Sequence, residues 1–399
     1  MSTPVIVAGV GMIPFAKPGA SEPYPAMGAA AVRAALADAG LPYAQMQQAY
    51  VGYVYGDSTS GQRALYEVGQ SGVPIFNVNN NCSTGSTALY LARQAVASGA
   101  ADCVLVLGLE QMRPGALGSV YEDRPSPFDA FDATCAALTA DDPAAAQIPL
   151  ALRYFGGAGR EHMRRYGTPL ATFAKIRAKA SRHAARNPLA LLRRVVTVEE
   201  VLQDREVWPG VMTRLMACPP TCGAAAAVLV SEPFARRHGL STQVRIRAQA
   251  MTTDREDSFQ SGSMMQLVGA GMTREAARRV YESAGVGPEA ITVCELHDCF
   301  AHNELISYEA LGLCPDGEAA AFVDAGDNSY GGRVVTNPSG GLLSKGHPLG
   351  ATGLAQCYEL TQQLRGRAEQ RQVEGARLAL QHNLGLGGAC VVTLYERAN

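Results

Sequence analysis

The sequence has almost no net charge, no long apolar run and no secretory-leader pattern in its first residues, and each lack bears on the class of function to expect. Lys and Arg number 34 against 36 Asp and Glu in 399 residues, a formal charge of −2, so the overall balance does not draw the chain to nucleic acid or an anionic membrane. The longest apolar runs, such as "VLVLGL" at 104–109, have strand length and fall far short of spanning a bilayer. "MSTP" passes directly into the apolar "VIVAGVG" with no basic region or cleavage pattern. The final "YERAN" is not a peroxisomal address, so the expected location is the cytoplasm. Ten cysteines without a secretory signal are expected as reduced thiols. Cys218 with Cys222, or Cys294 with Cys299, would make half a zinc site. Neither has a second pair at zinc-finger spacing, so no metal is expected. "VAGVGMIP" lacks the third glycine of a dinucleotide fingerprint and "GGLLSKGHP" the order of a phosphate-binding loop, so no redox cofactor is implied.

What is present is a large apolar fraction, 47%, with 18% charged residues, the balance of a folded chain with a big core. At 399 residues it exceeds one ordinary domain. Two stretches share a pattern: "NCSTGSTALYLARQAVASG" from Asn81 and "GHPLGATGLAQCYELTQQLRG" from Gly346. Aligning Cys82 with His347 also pairs Gly85 with Gly350, Thr87 with Thr352 and Leu89 with Leu354. Each follows a strand-like run and precedes another, and "CGAAAAVLVSE" resembles "GGACVVTLYE". Apolar runs alternating with helix-period segments indicate α/β units with mixed sheets. The economical reading is one α/β domain duplicated in tandem. Residues 1–112 with 213–240 form the first half, 113–212 an insertion of different character, and 241–399 the second half.

A pseudo-twofold between the halves would place Cys82 and His347 at equivalent helix N-termini, facing each other across one cleft. A free thiol is mostly protonated at neutral pH. Bringing its titration to neutrality takes about 2 kcal/mol of preferential thiolate stabilisation. A helix N-terminus gives about 0.3–1 kcal/mol, so an adjacent imidazole is needed to complete activation. Cys82 lies among Asn81, Ser83 and Thr84, polar neighbours that argue against simple core packing. A third cluster, "CELHDCFAHNEL" at 294–305, packs His297, Asp298 and Cys299 between apolar neighbours. Buried polar groups need partners, and the cluster by itself also fits a hydrogen-bonded loop.

These motifs resemble the thiolases, and among them the sterol-carrier-protein-2 type: "NNNCSTGSTAL", "HDCF", "NPSGGLLSKGHPLGATGLAQ" and "HNLGLGG", spread in order from about residue 4 to 396. The resemblance implies a duplicated five-layer αβαβα fold of the α/β class with an inserted loop domain; the sterol-carrier domain that follows in some relatives is not expected here. It implies Cys82 as the nucleophile and His347 as its activator. Most thiolases move the α-carbon proton with the cysteine of a Cys-x-Gly motif. That place here reads Asn383-Leu384-Gly385, and the resemblance to the subgroup passes the role to Cys299. His297 with His347 is expected to stabilise one developing oxygen anion, and the Cys82 and Gly385 N–H groups the other. Cys390 is expected to be structural.

Between Ala151 and Arg194 eleven Lys or Arg residues, from Arg153 to Arg194, face one acidic residue, Glu161. A basic flap would attract the phosphates of coenzyme A, though a solvated helical face explains most charge runs. The expected activity is cleavage of a 3-oxoacyl-CoA by CoA, or the reverse Claisen condensation, with CoA thioesters as substrates and no permanently bound cofactor. Other readings are acyl transfer to a non-CoA acceptor, or a non-catalytic lipid-binding or aldolase-type protein. The resemblance also implies a homodimer or homotetramer of the chain and, in the aldolase reading, a small accessory subunit.

Overall fold

The computed structural model describes residues 3–113, 121 and 123–398. "VIVAGVGM" forms strand β1 (Val5–Met12), and all eight of its residues are buried. A strand buried on both faces has no use for polar alternation, which is why its sequence is an unbroken apolar run. β2 (Gln48–Gly52), β3 (Ile75–Val78) and β4 (Cys103–Glu110) follow, with helices α1 (Tyr24–Ala39) and α2 (Thr84–Ala97) between them. The stretch after β4 contributes helices α3 (Leu150–Tyr166) and α4 (Leu170–Ala184) before the chain returns to the sheet at β5 (Gly223–Ser231). The second half supplies β6 (Val244–Thr252), β7 (Val293–Glu295), β8 (Val335–Thr336), β9 (Leu378–Gly385) and β10 (Ala389–Arg397). Its helices are α5 (Ala270–Ala284), α6 (Ala301–Ala310) and α7 (Leu349–Arg365).

The strand order exposes the duplication. In the first half it runs β1-β5-β4-β2-β3 and in the second β6-β10-β9-β7-β8. Both halves pair antiparallel, antiparallel, parallel and parallel in that order. Two antiparallel pairs, Val5 with Ile246 and Ile6 with Arg245, join β1 to β6.

Helices fill the space between and outside the halves. Leu89 and Ala92 of α2 and Leu354 and Leu360 of α7 share an apolar core with Val5, Val7, Ile246 and Val293. The opposite face of β1, with Ile6 and Ala8, packs on Ala31 and Val32 of α1. On the far side of the second half, Met272, Ala276 and Val280 of α5 cover Ala248, Ala250 and Val392. These are the five layers. At the centre α2 and α7 cross through glycine: a Cβ on Gly85 would lie 2.7 Å from the Gly350 carbonyl, and one on Gly353 would lie 2.2 Å from the Ser86 nitrogen. No other residue permits that approach.

The insertion belongs to the first half by sequence but packs on the second. Phe155 and Phe173, from α3 and α4, share a core with Phe300, Leu305 and Ile306 at the start of α6. Among the described residues no helix is long and apolar enough to cross a membrane.

Candidate functional site

The two aligned segments meet as the duplication requires. Asn81 and Gly346 both hold positive φ, 50° and 116°, so each chain turns sharply just before presenting Cys82 and His347 at the mouths of α2 and α7. Asparagine and glycine are the residues that best tolerate this left-handed backbone. Cys82 Sγ, His297 and His347 each offer a ligand or reacting atom, and the three lie within 4.8 Å of one another. The imidazole planes of His297 and His347 stand nearly perpendicular, at 83°, with centroids 5.1 Å apart.

His347 is aimed by its own helix. Its Nδ1 lies 2.7 Å from Thr352 Oγ1, and the Thr352 hydroxyl donates to the Pro348 carbonyl at 3.0 Å. The hydroxyl oxygen therefore accepts from Nδ1–H, and the lone pair is left on Nε2, which is buried and has no hydrogen-bond partner among the described residues. The equivalent Thr87 donates to Ser83 O at 3.0 Å in the first half. A buried basic nitrogen beside a thiol can take up the proton that the sulfur releases on attack.

The resting charge state differs from the sequence expectation. Burial, with the Glu110 carboxylate nearby, pushes the Cys82 thiol up to about 12. Burial also pushes His347 down to about 3 and His297 well below its ordinary range, with the two neighbouring histidines adding to the effect. The helix terminus and the imidazole do not outweigh desolvation. Both shifts favour a neutral thiol beside a neutral imidazole, an arrangement in which proton transfer accompanies bond formation.

Cys299 is buried beside Cys218 and Cys82, its thiol raised by burial and by those two cysteines. Asp298, also buried, lies near enough to Cys218 and Cys299 to help raise both thiols. Its Oδ1 accepts the Leu342 N–H at 2.7 Å, tying the HDCF loop to the turn before His347. Gly385 abuts the Cys82 loop: a Cβ there would sit 2.4 Å from Asn80 O and 3.0 Å from the Ser83 nitrogen. Cys390 is buried in β10 with its sulfur 3.6 Å from Thr273 Oγ1.

Several residues of the site were not singled out by the sequence. The segment "ACPPTC" threads between the HDCF and GHP loops. Cys218 N–H donates to Cys299 O at 2.9 Å, and Thr221 Oγ1 accepts the His347 N–H at 3.1 Å. Cys218 is thus a wall of the site, in electrostatic contact with Cys82. Its spacing to Cys222 had suggested only a weak metal motif. Asn383 stands where the expected cysteine is missing, and its Nδ2 donates to Cys82 O at 3.1 Å and reaches His297 Nδ1 at 3.0 Å. Thr352 was legible as the partner of Thr87 in the repeat, but its bond to the imidazole was not.

The basic segment divides in two. Arg177 and Lys179 are buried and point away from solvent: Arg177 donates to Ser344 Oγ at 2.7 Å, and Lys179 pairs with the Glu304 carboxylate and Thr336. These two support the loops beneath the site and are unavailable to a phosphate. Arg165, Arg182, Arg186 and Arg193 remain exposed.

Comparison with known proteins matches this architecture. The N-terminal thiolase domain family matches residues 5–119 and the thiolase C-terminal domain-like family residues 254–395. The chain belongs to the thiolase family and is an acyltransferase of that fold. Within the family it is of the sterol-carrier-protein-2 type: it is 53% identical to sterol carrier protein 2 of Oryctolagus cuniculus over 98% of this chain and 72% of that protein. An acetyl-CoA acetyltransferase of Methanothermobacter thermautotrophicus is 33% identical over 91% of this chain and 92% of its own. Among solved structures, the Ltp2-ChsH2(DUF35) aldolase superposes with a TM-score of 0.82 at 23% identity, covering 99% of this chain and 98% of that one.

Proposed function

We propose that the chain cleaves 3-oxoacyl-CoA with free CoA, or runs the reverse condensation, through an acyl group carried on Cys82. The observation that carries this is the unpartnered Nε2 of His347, buried and held by Thr352 on the side of the Cys82 sulfur.

In thiolysis the Cys82 sulfur adds to the 3-oxo carbon as His347 Nε2 accepts the thiol proton. The carbon–carbon bond then breaks, its electron pair passing to the α-carbon of the departing acetyl-CoA enolate, which takes its proton from the Cys299 thiol. Free CoA next attacks the Cys82 thioester, giving up its thiol proton to Cys299, and His347 returns a proton to Cys82. His297 and His347 stabilise the enolate oxygen, and the Cys82 and Gly385 N–H groups the tetrahedral one. Each lost donor of this kind costs about 2.7–4 kcal/mol of barrier. Exposed arginines of the insertion, among them Arg165, Arg182, Arg186 and Arg193, offer a basic surface for the CoA phosphates. A lipid-binding or aldolase-type protein would leave the thiol and its imidazole without a task.

The test is incubation of purified protein with acetoacetyl-CoA and longer 3-oxoacyl-CoA thioesters, with and without CoA. CoA-dependent cleavage is expected, as is an acyl adduct on intact mass that Cys82→Ala abolishes. No cleavage at any chain length, or an adduct that persists in the variant, overturns the proposal.

A further inference from the structure

Two imidazoles and a thiol within 4.8 Å of one another are also the donor set of a zinc site. A zinc ion needs a lone pair from each ring. Whether both rings offer one is decided by what lies behind them.

Behind His347 the Thr352 hydroxyl accepts from Nδ1–H, and the lone pair faces the site. Behind His297 the logic is reversed. Asn383 Nδ2 lies 3.1 Å from the Cys82 carbonyl, an atom that only accepts, so this end of the amide is the NH2. The other end is fixed independently: Asn383 Oδ1 takes the Ser86 hydroxyl at 2.8 Å. Ser86 in turn accepts from Gln381 Nε2 at 2.8 Å, and Gln381 Oε1 accepts the Tyr395 hydroxyl at 2.5 Å. Gln381 Nε2 also donates to the Gly353 carbonyl at 2.8 Å, which fixes it as the NH2 end, so Ser86 accepts from it and donates to Asn383, and the Asn383 amide cannot turn over. The second N–H of Asn383 meets His297 Nδ1 at 3.0 Å. That nitrogen must accept, and the ring proton of the neutral imidazole sits on Nε2.

We infer that Asn383 is a positioning residue that holds His297 as an Nε2–H donor opposite a His347 acceptor, and thereby denies zinc a Cys82–His297–His347 site. Two rings of one residue type are thus set to opposite tasks by their backing groups, one to take a proton and one to donate a hydrogen bond to negative oxygen. If His297 switched tautomer, its Nδ1–H would face the Asn383 N–H, two buried donors with no acceptor between them. An aspartate at 383 would reverse the preference. Its carboxylate would accept from Nδ1–H, the backing usual for a metal-bound histidine, and would turn the Nε2 lone pair toward Cys82.

The test has three arms. In protein labelled with 15N-histidine, long-range proton–nitrogen spectra of the wild type, assigned with His297→Asn and His347→Asn, should show His297 protonated at Nε2 and His347 at Nδ1. Titration with zinc chloride, read by a competing chromophoric chelator, should show Asn383→Asp binding at least about tenfold tighter than wild type. Its kcat for 3-oxoacyl-CoA cleavage should fall about tenfold or more with KM little changed, while Asn383→Ala falls less and gains less zinc affinity. His297 protonated at Nδ1 in the wild type, or equal zinc affinity in wild type and a folded Asn383→Asp, overturns the inference. If Asn383→Asp does not fold, the wild-type spectra decide alone. The kinetic arm rests on the thiolase reading. The spectroscopic and zinc arms do not, so a protein that cleaves no thioester but shows the two tautomers refutes that reading and leaves this one standing.

Discussion

The Glu110 carboxylate, at the end of β4 in the first half, accepts the Gly350 N–H on the first turn of α7 in the second half at 3.0 Å. The same carboxylate takes the N–H groups of Val54 and Tyr55, at 3.1 and 3.0 Å. One acid therefore clasps the helix that carries His347 to the strand layer beside Cys82.

Burial raises Glu110 to about 7, against the pull of three N–H donors. Because the folded value lies above the unfolded one, this residue's contribution to stability is full below the ordinary carboxylate range and is lost as pH rises to about 7. Glu110→Gln removes that dependence. Urea unfolding at pH 4.5 and pH 8 should show the wild type losing on the order of 3 kcal/mol more than the variant over this interval. Identical pH dependence in both proteins would show that the clasp is ionised throughout.

The thiol raised to about 12 and the imidazole lowered to about 3 predict how Cys82 is alkylated. Modification of Cys82 by iodoacetamide, followed by peptide mass, should climb about tenfold per pH unit from 7 to 9, as thiolate becomes available. A rate already level across that range would mean a resting thiolate–imidazolium pair, and the neutral resting state would be wrong.

Thr352→Val leaves the His347 Nδ1–H without its acceptor. A neutral hydrogen bond of this kind is worth about 1 kcal/mol, with a further penalty for the stranded donor, so kcat should drop about tenfold. KM should stay near the wild-type value, because the hydroxyl faces the imidazole rather than the ligand. Thr352→Ser should recover most of the rate, and failure of that rescue would assign the loss to packing.

Cys299→Ala separates the two thiols. The variant should still form the acyl adduct on Cys82 when mixed with acyl-CoA, while carbon–carbon cleavage falls to background in a thiolysis assay. Unimpaired turnover would move proton transfer at the α-carbon to another group, with Cys218, which interacts with both Cys82 and Cys299, a candidate.

Lys179 sits beneath the site with its ammonium on Glu304 and Thr336, fully enclosed. Lys179→Met leaves a buried carboxylate uncompensated and should cost about 3–5 kcal/mol in denaturant unfolding. The double variant Lys179→Met/Glu304→Leu should regain most of it. No loss in the single variant would show that the Lys179–Glu304 pair does not hold the fold.

How much of this was legible without coordinates depends on where the information lies along the chain. The pairing of Cys82 with His347 was readable because duplication repeats local patterns: turn, small residues, helix period. Those patterns survive as Gly85 with Gly350 and Thr87 with Thr352. The same local signals placed β1, β4 and the helices that follow the two turns. The side on which the insertion docks was not readable, because Phe155 and Phe173 meet Phe300 through packing that no periodicity encodes. For that reason Arg177 and Lys179, counted with the surface charge, proved to lie inside.

By itself, then, the sequence determined which groups the chain carries and that two of its halves would bring sulfur and imidazole to equivalent helix mouths. Only the tertiary structure decided their protonation and their direction. Both depend on what surrounds each atom: desolvation set the thiol and the imidazoles neutral, and backing groups distant in sequence, Thr352 and Asn383, set which ring nitrogen faces the cleft.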